Sequence, residues 1–177
     1  MEHIIIKKTT IDELEQLQSI SVQTFSEAFA AGNTAENLNK YLDEAFSIQK
    51  LRTELDNPGS EFYFAMLQGK PVGYLKLNFG RAQTEHLDLN ALEIERIYVL
   101  QEFLGQKLGQ LLYGQALQCA VQRNAAYIWL GVWEENPRAI RFYKKNGFVP
   151  FDKHLFKVGD DLQTDIMMKR ELSLDEL

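Results

Sequence analysis

The chain has 177 residues, 45% of them hydrophobic and 25% charged, which is typical of a globular domain and excludes a disordered, collagen-like or coiled-coil chain. Its 19 Lys and Arg against 25 Asp and Glu give a formal net charge of −6, so a basic nucleic-acid footprint is absent and small cationic partners are favoured. One cysteine, Cys119, excludes an internal disulfide framework, and the three histidines have no metal-ligand spacing. Because no apolar run approaches about 18 residues and the start lacks a signal-peptide pattern, we expect a cytoplasmic protein without a membrane span.

Hydrophobic periodicity predicts, in chain order, a strand, three helices, a hairpin, a strand, a helix, a strand, a helix and a final hairpin. The predicted strands are residues 4–7, 61–67, 71–78, 92–99, 127–132, 148–157 and 163–169. The first three helices begin after Thr10, near Thr34 and at Ser47, and the last begins at Pro137. The strand at 92–99, the helix at about 105–123 and the strand at 127–132 form a parallel right-handed crossover. These elements predict a mixed sheet flanked by helices, an α/β or α+β fold.

A glycine-containing turn opens the long helix directly after a strand. It comprises Leu104, Gly105, Gln106, Lys107, Leu108 and Gly109. Such a turn presents free backbone N–H groups at the positive end of a helix dipole, which suits a pyrophosphate. Glycines also end strands and begin helices for purely structural reasons, so this signal is weak alone.

The segment from Asn136 to Phe148 adds a second signal, with the pattern N-x-x-A-x-x-F-Y-x-x-x-G-F. Here the sequence resembles the GNAT superfamily of acetyl-CoA-dependent N-acetyltransferases. The stretches LEIERIYV at 92–99, IWLGVWEENPRAIRFYKKNGF at 128–148 and GDDLQTDIMMK at 159–169 are similar to the PaiA-type spermidine/spermine acetyltransferases. The resemblance implies one domain over residues 1–177, with a mostly antiparallel twisted sheet around the parallel strand–helix–strand unit. It also implies acetyl-CoA as cosubstrate, with no metal.

The resemblance assigns cofactor contacts residue by residue. Backbone groups of Ile97, Tyr98 and Val99 would pair with the pantetheine arm as if it were an added strand. The N–H groups between Leu104 and Gly109 would bind the pyrophosphate. Asn136 would contact the pantetheine or the acetyl end, Tyr143 would face the sulfur, and Lys145 would reach a CoA phosphate. The turn departs from the family pattern at its first position, which is Leu104, and at its fourth, which is Lys107 rather than Gly. A lysine there either crowds a phosphate or pairs with it.

Acetyl transfer to a primary amine needs a base, because an alkylammonium has a pKa of about 10.4. Glu95 is the first candidate and Glu93 the second, and strand alternation predicts both on the face of Ile97 and Val99. Alternatively, a glutamate here balances Arg96 or Arg141, or holds a cationic substrate. The N–H of Ile97 is the candidate donor to the oxyanion. Tyr143 is the candidate acid that protonates the CoA thiolate; outside the motif it would be a core aromatic.

The acceptor pocket is expected between the first two helices and the last hairpin. Its candidate residues are Phe25, Phe29, Tyr41, Asp43, Glu44, His154 and Asp165. Asp43 and Glu44 also fit an exposed helix face, Trp129 and Trp133 fit core or pocket-wall packing, and His86 fits a loop. We predict transfer to a polyamine such as spermidine or spermine, by a monomer or a homodimer. The alternatives are another small amine, a protein N-terminus, or a CoA-sensing regulatory domain with little catalysis.

Overall fold

A computed structural model describes residues 3–85, 88–173 and 175–176, so the expected loop histidine His86 lies outside the described residues. One sheet of seven strands has the order β1-β2-β3-β4-β5-β7-β6. The strands are β1 (Ile5–Lys8), β2 (Ser60–Leu67), β3 (Lys70–Phe79), β4 (Leu92–Val99), β5 (Tyr127–Trp133), β6 (Val149–Val158) and β7 (Asp161–Glu171). Neighbours pair antiparallel except β4 and β5, which are parallel. This confirms the predicted mixed, mostly antiparallel sheet.

Five helices connect and cover these strands. They are α1 (Leu14–Phe29), α2 (Ala35–Ala45), α3 (Ile48–Asp56), α4 (Leu108–Gln122) and α5 (Pro137–Lys145). The side chains of Thr34 and Ser47 accept hydrogen bonds from the backbone at the starts of α2 and α3. This confirms the predicted helix start near Thr34 and the predicted cap at Ser47. The predicted start of α4 at residue 105 is wrong by three residues. Gly105 and Lys107 have φ of +85° and +65°, and such left-handed residues cannot continue a right-handed helix.

The helices pack on both faces of the sheet around one continuous core. α1 packs against β3 and β4, with Leu17 and Phe25 fully buried. α4 packs on the other face, where Leu112 approaches Gly73 closely enough to contact a side chain there. Among the described residues, no helix combines the length and the apolar composition that a bilayer crossing requires.

A β-bulge in β4 changes which side chains share a face. β4 pairs with β3 so that Arg96 lies opposite Lys76 while Ile94 lies opposite Leu77, which leaves Glu95 as the extra residue. Side chains of a strand point alternately to the two faces of the sheet, and one extra residue exchanges the faces for all residues beyond it. Ile97 therefore shares the face of Leu75, whereas Glu93, opposite Asn78, points to the other face. The carboxylate of Glu95 contacts Lys76 and Asn78 on that other face as well. The expectation that Glu93 and Glu95 lie on the face of Ile97 and Val99 is therefore wrong, because simple alternation does not count the bulge.

Candidate active site

The two parallel strands at the centre of the sheet separate after a short stretch. Only Leu92–Ile128 and Glu93–Trp129 are paired between β4 and β5, although the strands have 8 and 7 residues. β5 remains paired with β7 along its whole length. As a result Gly131 is exposed, although β5 lies between two other strands of the sheet. A cleft therefore opens between β4 and β5 in the middle of the sheet.

One wall of this cleft is the second half of β4. Ile97, Tyr98 and Val99 pair with β3 through one edge, and all three are partly exposed. Within the described part of the chain, the opposite edge of this segment has no strand partner. Main-chain donors and acceptors left free at a strand edge are suited to pair with an extended ligand. The structure thus places these three predicted residues where a pantetheine arm could pair with them.

The turn before α4 offers several unused backbone donors beside the cleft. Four of its N–H groups have no acceptor among the described residues, those of Gly105, Lys107, Leu108 and Gly109. The N–H groups of Leu104 and Gln106 are used locally, donating to carbonyl oxygens of Gln101 (3.2 Å) and Phe103 (3.4 Å). Left-handed residues followed by a helix N-terminus form an anion-binding concavity. Lys107 adopts the left-handed backbone that glycine reaches without strain, at the position where the family pattern has glycine.

The first turn of α4 lies beside the end of α5. Gln110 Nε2 donates to Asn146 Oδ1 at 2.9 Å, which brings the exposed Lys145 to the same end of the molecule as Lys107.

Asn136, predicted to contact the cofactor, is the N-cap of α5, where its Oδ1 accepts from the N–H of Ala139 at 3.1 Å. The amide oxygen of Asn136 therefore has a structural role in starting α5.

Tyr143 is buried on the inner face of α5. Its ring lies 5.3 Å from that of Phe142 and 5.7 Å from that of Phe148, centroid to centroid. Burial raises the pKa of Tyr143 well above its usual value. The pKa of Tyr98 in β4 is raised as well, first by burial and then by neighbouring tyrosines, one of which is Tyr143. Tyr143 therefore stays protonated at neutral pH, the form that a proton donor requires.

Glu95 lies in a cluster of buried charges. Its carboxylate is 2.5 Å from Lys76 Nζ, 2.6 Å from Asn78 Nδ2 and 3.4 Å from the Arg96 guanidinium. Burial raises the pKa of Glu95, but Arg96 and Lys76 outweigh it and lower the pKa to about 2. Glu54 from α3 completes the cluster, 2.8 Å from Arg96 and 3.2 Å from Lys76. These contacts favour the alternative in which Glu95 balances Arg96.

Glu93 shares the Asn78 amide with Glu95 but has a different environment. It is only 3% exposed and accepts hydrogen bonds from Asn78 Nδ2 (3.0 Å) and from the N–H (2.7 Å) and hydroxyl of Thr84. Burial raises the pKa of Glu93 more than these hydrogen bonds lower it. Sequence reasoning missed Asn78, Lys76 and Glu54, although a lysine inside an otherwise apolar strand is a signal for a buried partner.

Aromatic side chains line the α1 side of the cleft. Phe29 lies 5.8 Å from Trp133 and 6.5 Å from Tyr98, and Phe25 stacks on Tyr41 at 4.3 Å. Phe25, Phe29 and Tyr41 thus lie together, with Phe25 and Phe29 buried in the core, and their place in an acceptor pocket stays a prediction. Asp43 and Glu44 are exposed, as in the alternative reading of a solvated helix face. Trp129 is fully buried and donates to Gln83 Oε1 at 2.7 Å, so it is a core residue.

His154 and Asp165 meet across the final hairpin. They are paired between β6 and β7, and His154 Nε2 lies 3.4 Å from Asp165 Oδ2. Both face the exposed Gly131, because a Cβ at that glycine would lie 3.0 Å from Nε2 and 3.1 Å from Oδ2. Among the described residues, no group of three or more His, Cys, Asp and Glu side chains is arranged to hold a metal ion.

The comparisons with known proteins agree with this geometry. The model of the acetyltransferase (GNAT) family matches residues 16–148, which is most of the chain. The chain belongs to the GNAT family. An uncharacterized N-acetyltransferase of Lactobacillus delbrueckii subsp. lactis is 38% identical over 172 residues, covering 97% of this chain and 99% of the relative. The GNAT protein described here is therefore an acetyltransferase, which confirms the predicted enzyme class.

Two comparisons bear on the PaiA-type resemblance. A spermidine N(1)-acetyltransferase of Thermoplasma acidophilum is 24% identical over 172 residues, covering 95% of this chain and 97% of the relative. The crystal structure of the PaiA N-acetyltransferase of the same organism, in complex with coenzyme A, superposes with a TM-score of 0.79 and 23% identity, covering 96% of this chain and 99% of that one. At this identity the structural match shows a shared fold.

Proposed function

We propose that this GNAT enzyme transfers the acetyl group of acetyl-CoA to a primary amine, with a polyamine such as spermidine or spermine as acceptor. The observation that carries the proposal is the cleft between β4 and β5, next to a turn with four free N–H groups. The CoA-bound neighbour supports the cosubstrate, and the spermidine acetyltransferase relative supports the acceptor class. The whole chain is proposed to act as one acetyltransferase domain.

In this proposal the main chain of Ile97, Tyr98 and Val99 pairs with the pantetheine arm. The free N–H groups of the turn, with Lys107 and Lys145 as nearby cations, bind the phosphates. The N–H of Ile97 donates to the oxyanion that forms when the amine attacks the thioester carbon. The C–N bond forms, the C–S bond breaks, and the CoA thiolate takes a proton from the hydroxyl of Tyr143. The second proton that the attacking nitrogen loses as the amide forms restores the Tyr143 hydroxyl.

Burial keeps the phenol of Tyr143 protonated until the thiolate forms, so Tyr143 can donate to the departing sulfur. Because a thiol, with a pKa of about 8.5, is a stronger acid than a phenol, the transfer is completed by the proton that the amide nitrogen returns to Tyr143. Glu95 is proposed to hold the bulge and its cations in place. With a pKa of about 2, its carboxylate is a weak acceptor for an ammonium proton. Glu93 is 3% exposed and already accepts three hydrogen bonds from Asn78 and Thr84, so it too is poorly placed as the base.

The test is a thiol-release assay with acetyl-CoA, spermidine, spermine and a panel of other amines and N-terminal peptides. Saturable polyamine turnover is expected, and Tyr143→Phe is expected to reduce kcat by roughly 10²–10⁴-fold while the protein stays folded. Tyr127→Phe, at the opposite end of β5, is the matched control and should retain wild-type kcat.

The other outcomes of this assay contradict parts of the proposal. Turnover of peptides or other amines without polyamine turnover would discard the polyamine assignment. CoA binding without turnover of any amine would favour a CoA-sensing domain. Wild-type kcat in Tyr143→Phe would exclude Tyr143 as the acid.

A further inference from the structure

The proposed reaction lacks a well-placed proton acceptor on β4. A general base works best when its pKa lies near the working pH and when its acceptor atom can reach the proton. Glu95 is held ionised by Lys76 and Arg96, and Glu93 is enclosed by hydrogen-bond donors. The acceptor ammonium must nevertheless lose a proton before its nitrogen can attack.

A different pair of groups converges on the open cleft. His154 Nε2 and Asp165 Oδ2 lie 3.0 and 3.1 Å from the point where a Cβ of Gly131 would stand. Gly131 is two residues past Trp129, where the pairing of β4 with β5 ends. Both polar atoms therefore pack closely against the exposed Gly131, so that a cation lying over its backbone at the mouth of the cleft would face an imidazole nitrogen and a carboxylate oxygen.

The pair lies on the acceptor side of the sheet. Trp133 is opposite Asp165 in the β5–β7 register and so shares the face of Gly131 and Asp165. The ring of the same Trp133 lies 5.8 Å from that of Phe29 at the end of α1, and close to Gly32 in the turn that follows α1. The imidazole and the carboxylate thus continue the aromatic wall that lines the cleft from α1.

We propose that the acceptor ammonium binds over Gly131 against the Asp165 carboxylate and that His154 Nε2 removes its proton, an assignment that rests on the proposed function. The ammonium proton passes to Nε2, and the free amine attacks the thioester carbon. The resulting imidazolium returns its proton to solvent, which the 22% exposed His154 side chain reaches. Thiolate protonation by Tyr143 is unchanged.

The surroundings of the ring support this role. The Glu85 carboxylate lies 3.1 Å from Nδ1, and its negative charge favours the proton on that nitrogen. The hydrogen bond with Asp165 raises the pKa of His154, burial lowers it, and the charges of Asp165 and Glu85 raise it further. On the β5 side, the ring faces the backbone of Gly131. The net effect raises the pKa of His154 above the ordinary imidazole value of about 6.5, which suits a base at neutral pH.

The test compares pH profiles of polyamine acetylation in the wild type, His154→Gln, Asp165→Asn and the control His3→Gln. His3 is exposed near the start of the chain, away from the cleft. In the wild type, kcat/KM is expected to rise with pH, and this rising limb should have an apparent pKa above about 6.5, the ordinary imidazole value. His154→Gln should lose this limb and roughly 10²–10⁴-fold in rate. Asp165→Asn should move the limb to lower pH, because the main cause of the raised pKa is removed.

A second readout separates this inference from the proposed function. The imidazole signals of three histidines can be followed by NMR, and the variants His3→Gln and His154→Gln assign them. The pKa of His154 measured this way should match the kinetic limb and fall with it in Asp165→Asn. A kinetic limb that stays in place while that pKa moves would overturn the base role and leave the acetyltransferase assignment intact. Absence of turnover with every amine, with CoA still bound, would overturn the proposed function and the base role with it.

Discussion

Gly131→Ala is the sharpest test of where the acceptor nitrogen sits. The added methyl carbon would stand 3.0 Å from His154 Nε2, 3.1 Å from Asp165 Oδ2 and 3.2 Å from His154 Cε1. The carbon would stand between the Gly131 backbone and these two side chains, in the space across which an ammonium lying over the glycine approaches them. The methyl group therefore obstructs the ammonium without removing any side chain of the site.

The cost to folding should be small. The three contacts are short by a few tenths of an ångström and involve side-chain atoms that can shift. Replacing glycine in an unstrained strand lowers the entropy of the unfolded chain, worth about 0.4–1 kcal/mol. These effects oppose each other, so we expect a change in unfolding free energy within about 1 kcal/mol, or about 2–4 °C in Tm for a chain of this size.

The cost to amine binding should be much larger. A hydrogen bond to a charged group contributes about 1.5–3 kcal/mol, so losing one lowers kcat/KM for the amine by roughly 10–150-fold. The assay is thiol release against amine concentration, with calorimetry for CoA, whose binding should be unchanged. Gly114→Ala is the control, since a Cβ there on the exposed side of α4 meets nothing. An amine kcat/KM equal to wild type in Gly131→Ala would refute the placement of the ammonium over Gly131.

Two further predictions concern the turn and the buried charges. Lys107→Gly should relieve a left-handed backbone that costs an L-residue about 1–2 kcal/mol, so urea denaturation should show equal or greater stability, while calorimetry shows weaker CoA binding from the lost cation. A clear loss of stability would contradict this reading of the turn. Because Glu95 has a folded pKa of about 2 against an ordinary 4.5, its contribution to stability is complete above pH 4.5 and is lost as the pH falls towards 2. Urea denaturation between pH 6 and 3 should show this loss in the wild type and a flatter profile in Glu95→Gln, and equal slopes would contradict it.

Local sequence signals were sufficient wherever one element forms its own structure. Thr34 and Ser47 start helices because their hydroxyl groups accept from the backbone three residues on, an interaction within one turn. Period-2 and period-3.6 patterns located all seven strands and five helices, apart from the α4 start, which the left-handed Lys107 delays. The motif around Asn136 and Tyr143 likewise lies in one contiguous segment, which is why the family could be predicted from the sequence.

The arrangement of charges within the site was decided by the tertiary structure. The bulge at Glu95 depends on how β4 registers against β3, and it places Glu93 on the face opposite Ile97. Glu54, Lys76 and Arg96 are far apart along the chain and meet only because α3 packs on the sheet. The contact of His154 with Asp165 over Gly131 joins three strands. A sequence specifies short-range hydrogen bonds and apolar periodicity, whereas the pairing of distant polar groups depends on strand register and helix packing, which only the folded chain determines.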